Sequence, residues 1–142
     1  FVSEHRLSYT NKEEMPDIVT DKADITLYPI SSARFQITEA VNKLDADGIR
    51  CNVSHILWLK PFEVTRRLSD PLRKSKTGMV IGSGFELAGA ARSIAYDIEE
   101  ATDFPVKALG LEDHTKCLYP SLQNKTPDAD KIYEKVKKIL GK

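Results

Sequence analysis

Cysteine is scarce in this chain, with only Cys51 and Cys117 among 142 residues. They lie far apart with no CxxC spacing, which excludes a disulfide framework and a paired redox motif. Histidine is as sparse. His5, His55 and His114 form neither HxxxH nor HExxH, and His114 with Cys117 supplies two ligands where structural zinc needs four. No run approaches the roughly 20 apolar residues that cross a bilayer, and the first six residues lack the layout of a secretory signal. These absences point to a cytoplasmic setting, or the mitochondrial matrix in a eukaryote, with no membrane partner. An excess of one charge is missing too: 21 basic residues balance 21 acidic ones, so nothing draws the chain as a whole toward nucleic acid. The length suits one domain with a real core. Because the chain opens at Phe1, without an initiator Met, it reads as a processed or cut piece.

What is present is an alternation of strand and helix patterns. Asp17-Ile18-Val19-Thr20 suits a short edge strand. Ile25-Thr26-Leu27-Tyr28 is β-branched and aromatic, which favours a strand, with Pro29 ending it. Ser31 or Ser32 is expected to cap a helix in which Ile37, Ala40, Val41 and Leu44 share one face, with Gly48 at its stop. The stretch from Cys51 through His55 to Leu59 alternates and then turns apolar, predicting a second interior strand that enters the core at its far end. A helix over residues 63–74 turns Val64, Leu68 and Leu72 inward, with Asp70-Pro71 placed to kink it.

The centre of the pattern is Gly78-Met79-Val80-Ile81, read as a buried strand, followed by Gly82-Ser83-Gly84 as a sharp turn. Leu87, Ala91, Ile94, Ala95, Ile98 and Ala101 then recur at helical spacing. Residues 105–109 form the last predicted strand, and residues 110–123 read as loop. Thr126-Pro127-Asp128 marks a helix start with Thr126 as cap, and Ile132, Val136, Ile139 and Leu140 make that helix's apolar stripe. Such alternation predicts an α/β fold with a parallel sheet covered on both faces.

The residues offer little chemistry. Gly82-Ser83-Gly84-Phe85-Glu86-Leu87 begins like GxGxxG but has Leu in place of the third glycine, and it falls at a later βα turn than a dinucleotide fingerprint would. A tight strand-to-helix connection is the plain reading. A phosphate held at that helix start is the sharper one, and it supports an alternative function as a free-standing nucleotide- or phosphate-binding domain. GxSxG is absent. Glu99-Glu100, Asp103 and Glu112-Asp113 are acidic groups that suit either solvated ends or partner contacts.

Several segments in register resemble the C-terminal domain of the beta subunit of thiamine-diphosphate-dependent 2-oxo acid dehydrogenases. Phe1-Val2-Ser3-Glu4-His5-Arg6-Leu7-Ser8-Tyr9 is similar to the segment closing the preceding pyrimidine-binding domain. Ala23-Asp24-Ile25-Thr26-Leu27 is similar to the family's Asp-(Ile/Val)-Thr strand, and Leu57-Trp58-Leu59-Lys60-Pro61-Phe62-Glu63 to its Leu-Arg-x-Leu-x-Pro-hydrophobic-acid pattern. Here Trp58 stands where the family commonly has Arg. Lys76-Thr77-Gly78, Gly84-Phe85-Glu86-Leu87, Asp103-Phe104-Pro105-Val106, Tyr119-Pro120 and Thr126-Pro127 keep the family's order. Transketolases share this domain, so a transketolase C-terminal section stays open as a further reading.

The resemblance implies a three-layer α/β/α domain over residues 17–142, with a five-stranded, mostly parallel sheet whose short first strand is antiparallel. Residues 1–16 would close a preceding domain and connect to this one. It also implies a module without catalytic, cofactor or metal residues of its own. Thiamine diphosphate and magnesium would belong to other parts of the parent enzyme, and this chain alone would be inert. Its partners would be other domains or subunits of the parent, the acyltransferase component among them, in a homo-oligomeric assembly. The residue matching the family's partner-contacting acid is Asp103, and Glu99 and Glu100 extend that surface.

Overall fold

A computed structural model describes residues 12, 14–114 and 124–142. The opening Glu-His-Arg segment, His5, Cys117 and Tyr119-Pro120 lie outside the described residues. The chain runs β1 (Ile25–Pro29), α1 (Arg34–Ala46), β2 (Cys51–Val53), α2 (Arg66–Ser75), β3 (Gly78–Phe85), α3 (Ala90–Thr102), β4 (Val106–Leu111) and α4 (Ala129–Leu140). The strands form one sheet in the order β2-β1-β3-β4, every pair parallel. No helix among the described residues is long and apolar enough to cross a membrane.

Strand alternation sends side chains to the two faces in turn, and each face has its own helices. Ile25, Leu27, Met79 and Ile81 meet Ile37, Ala40 and Leu44 of α1 and Ile132 and Val136 of α4. On the other face Tyr28 and Val80 meet Leu68 and Leu72 of α2 and Ile94, Ala95 and Ile98 of α3. The three-layer α/β/α architecture follows directly.

Among the described residues the sheet has four strands rather than five. The predicted first strand contracts to a single antiparallel bridge, in which Ile18 and Val53 exchange backbone hydrogen bonds of 2.8 and 2.7 Å. The expected polarity is kept, but Ile18 and Val19 are half exposed and offer the core too little to extend the pairing. The second strand is also shorter than its pattern. It stops at Val53, Ile30 and Ile56 add one further bridge, and Leu57, Trp58 and Leu59 are exposed at 64%, 70% and 42% instead of entering the core.

Gly82-Ser83-Gly84 is not a turn. The strand runs through it to Phe85, with a bulge between Ile81 and Phe85, and the chain turns at residues 86–89. A Cβ at Gly82 would meet the Ala91 Cβ at 3.0 Å, so this glycine serves helix-on-sheet packing. As a result Leu87 precedes the helix and is exposed, and Thr102 rather than Ala101 completes the buried stripe of α3.

Helix boundaries show smaller differences. The entry to α1 is a 3-10 turn over Ser31–Ala33, and no hydroxyl caps the helix. In α4 the cap is Asp128, whose carboxylate accepts from the Lys131 N–H at 2.9 Å, not Thr126. Pro71 lies inside α2 without ending it. Proline cannot donate to the carbonyl four residues back, and that carbonyl, on Arg67, instead accepts from the Ser54 hydroxyl at 3.4 Å. The Gly48 and Gly141 stops hold, each with positive φ.

The segment before β1 is tied down through His55. Asp17 accepts from the His55 N–H at 2.8 Å and from Arg67, while Arg34 Nε donates to His55 Nδ1 at 3.2 Å. Burial, then the Arg34 guanidinium, holds the His55 imidazole below its usual range. A depressed value means that the unfolded chain takes up a proton first as pH falls. Stability is therefore complete above about 6.5, the ordinary histidine value, and declines as pH drops through the depressed native value. Urea denaturation at about pH 7.5 and about pH 5.5 should show a larger loss in the wild type than in His55→Gln; equal losses would contradict this role.

Candidate functional site

Helical spacing brings the acidic residues together. Tyr96, Glu99, Glu100 and Asp103 fall at i, i+3, i+4 and i+7 of α3, so they share its outward face. With Phe104 and Pro105 they line a surface depression of about 440 Å³. This face sits where α3 ends and β4 begins, at the N-terminal edge of the parallel sheet. The structure thus brings Asp103, Glu99 and Glu100 into one place.

Each acid is held differently. Glu99 Oε2 accepts from the Val106 N–H at 2.8 Å, which fixes the side chain against the first residue of β4. Glu100 Oε1 accepts from the Tyr96 hydroxyl at 3.3 Å. Asp103 is the left-handed cap of α3, at φ +60°, and its N–H donates to the Glu99 carbonyl at 2.8 Å. Aspartate tolerates this conformation better than most residues. Its carboxylate is left at the rim of the depression. Phe104 packs partly on the core below, so the acidic rim surrounds an apolar floor.

Tyr96 is the member that sequence reasoning missed. It is 64% exposed on the acidic face, and its spacing of three, four and seven residues from the acids was the available signal. An apolar ring beside carboxylates suits a partner that presents a basic side chain on an apolar stem. The neighbouring groove, lined by Arg92, Lys107, Lys135, Glu86 and Glu99 among others, carries both signs and continues the surface along β4.

The other rim of the sheet is where open α/β folds bind ligands, between strands whose crossovers diverge. Here that position lies between β1 and β3, and Gly82, Ser83 and Gly84 line it with Ile30, Ser31 and Arg34. The helix N-terminus expected directly after Gly84 begins instead at Ala90. The phosphate-cradling turn of the alternative reading is therefore not formed at Gly82–Glu86. Among the described residues no group of three His, Cys, Asp or Glu side chains is placed to hold a metal ion. Cys51 is buried, and burial pushes its thiol up to about 12, which leaves it unreactive as a nucleophile.

No protein-family model matches the chain. Among curated proteins it is similar to the beta subunit of the pyruvate dehydrogenase E1 component of Porphyra purpurea, 29% identical over 97% of this chain and 46% of that protein. The corresponding subunit of Gracilaria tenuistipitata var. liui is 26% identical over 78% of this chain and 38% of its own length. The chain therefore spans less than half the length of these relatives. Among solved structures, the inactive beta4 tetramer of a split-gene transketolase superposes with a TM-score of 0.69 at 21% identity, covering 93% of this chain and 44% of that one. The 2-oxoglutarate:ferredoxin oxidoreductase of Magnetococcus marinus gives 0.65 at 16% identity, over 94% of this chain and 21% of that one.

Proposed function

We propose that this chain, a domain of transketolase C-terminal-like fold, is an assembly and partner-binding module of a thiamine-diphosphate-dependent 2-oxo acid dehydrogenase, in the place of the beta subunit of the first component. The observation that carries the reading is the convergence of Glu99, Glu100 and Asp103 around Tyr96 on one face of α3. The sequence relatives, both pyruvate dehydrogenase beta subunits, support the choice of parent. In that setting the parent decarboxylates a 2-oxo acid oxidatively, and thiamine diphosphate and magnesium are held by other domains. This module contributes surfaces: contacts that pair subunits in a homo-oligomeric parent, and an acidic patch for a basic domain of the acyltransferase component.

Exposed carboxylates steer such a partner and set its register more than they add raw affinity. Binding should therefore weaken as ionic strength rises. The clean variant is Asp103→Asn, because Asn keeps the left-handed cap while removing the charge; Ala would add strain at φ +60°. Titration with a basic subunit-binding domain of an acyltransferase should show about tenfold weaker binding for Asp103→Asn, equal to about 1.4 kcal/mol. The difference should shrink at high salt. Unchanged affinity would remove Asp103 from the surface.

A further inference from the structure

The sheet has two edges, and they are finished differently. On the β2 side Ile18 closes the strand with its antiparallel bridge to Val53. On the β4 side no described strand follows, and Val106, Lys107 and Ala108 form the floor of the mixed-charge groove of about 310 Å³. In a parallel pair, successive residues turn their N–H and C=O groups to one neighbour and then away from it. Pro105 faces β3, because its carbonyl accepts from the Gly78 N–H at 3.0 Å. Lys107 and Leu109 take the same side, so Val106 and Ala108 turn their backbone groups outward. The bond from the Val106 N–H to Glu99 Oε2, at 2.8 Å, agrees with that direction. It caps one outward donor. The Val106 carbonyl and both backbone polar groups of Ala108 are left without a strand partner among the described residues.

The groove straddles this edge. Val106 and Ala108 pack toward α3, whereas Lys107, level with Met79, falls on the face covered by α1 and α4. Arg92 of α3 lines one side and Lys135 of α4 the other. Among the described residues none of these three cations makes an ion pair. Of the two acids in the lining, Glu99 is committed to the Val106 N–H, which leaves Glu86. A single lysine is enough to guard an open edge against pairing. Three cations converging from three elements do more, because they select the sign of what approaches.

We propose that the open edge of β4 takes up an extended acidic segment of a partner protein, which adds beside β4 as a further strand. Backbone bonds to Val106 and Ala108 give the affinity, and Arg92, Lys107 and Lys135 choose the sequence. The same charges disfavour a second copy of this chain as occupant, since pairing edge to edge would set like charges against each other. The surface differs from the acidic depression in sign and in the partner that it fits, although Tyr96 and Glu99 border both.

NMR titration of the 142-residue chain with a synthetic peptide of alternating Glu and Val tests this. Saturable shifts are expected from Val106 to Leu109, with slowed hydrogen exchange at the Ala108 N–H and an affinity in the high micromolar range. N-methylating the backbone of the probe should weaken binding at least about tenfold, because strand addition needs those donors. Replacing its Glu by Lys should do the same. In the protein, Ala108→Pro removes the outward donor at a position where an edge strand accepts proline, and Lys107→Glu reverses the central charge. Each should weaken binding at least about tenfold with circular dichroism unchanged, and Lys107→Glu decides the matter if the proline variant does not fold. The absence of saturable shifts up to about 2 mM peptide would overturn the proposal. So would binding indifferent to N-methylation, which would mean adhesion by charge alone, or an unaltered Kd in Lys107→Glu. Asp103→Asn should bind the peptide as the wild type does, which separates this edge from the acidic surface.

Discussion

Gly110→Ala is expected to cost about 3 kcal/mol of stability. The added methyl carbon would lie 2.6 Å from the Gly84 carbonyl oxygen, 2.7 Å from the Glu86 nitrogen and 3.0 Å from its Cα. All three neighbours are backbone, in the bulge where β3 leaves β4, so no flexible side chain can yield. Overpacking at such a site costs roughly 1–3 kcal/mol. Opening the bulge would also strain the Glu86 N–H bond to the Leu111 carbonyl, now 2.9 Å, worth about 1 kcal/mol more. For a chain of this size the loss amounts to a fall in Tm of about 10 °C. Gly84→Ala is the control, since it meets no neighbour, and should melt within a degree or two of wild type. A Gly110→Ala protein that melts with the wild type would refute the close approach of the two strands.

The next largest effect is predicted for Asn52→Leu, at about 2–3 kcal/mol. Asn52 is fully buried between β2 and α2. Its amide donates to the Pro71 carbonyl at 3.0 Å and reaches the Thr26 hydroxyl at 3.5 Å, while its oxygen accepts from the Thr20 N–H at 2.7 Å. One side chain thus joins the segment before β1, the sheet edge and a proline-containing helix. Leucine fills a similar volume but pairs with none of these groups, and an orphaned buried partner costs more than the mean worth of its bond. Urea midpoints at constant m-value would measure it; a loss below about 1 kcal/mol would mean that water or relaxation replaces the bonds.

Periodicity read the interior well. Ile37, Ala40 and Leu44, then Ile94, Ala95 and Ile98, then Ile132 and Val136 are all buried where helical spacing put them, because a helix stripe needs only local sequence to be recognised. The strand starts at Ile25 and Gly78 are as predicted. Leu57-Trp58-Leu59 went astray because an apolar run reports a preference for burial, and only tertiary structure decides whether a neighbour is there to meet it. Gly82-Ser83-Gly84 went astray because glycine serves both turns and close packing, and the Ala91 contact that selects packing lies nine residues on. Thr126 and Asp128 are both sound caps by type, and the backbone chose the second.

The three acids were picked out through resemblance rather than through spacing alone. Asp103 carries no local sign of its left-handed backbone, and Glu99 gives no hint of its bond to the Val106 N–H. Helical geometry then explains why the three acids meet, and it adds Tyr96.

The proposed role is that of a scaffold that arranges partners while other domains of the parent hold thiamine diphosphate. Isothermal titration of the 142-residue chain with thiamine diphosphate in the presence of magnesium measures that directly. A scaffold should give no saturable heat up to millimolar ligand; a saturating isotherm with micromolar affinity would contradict that role.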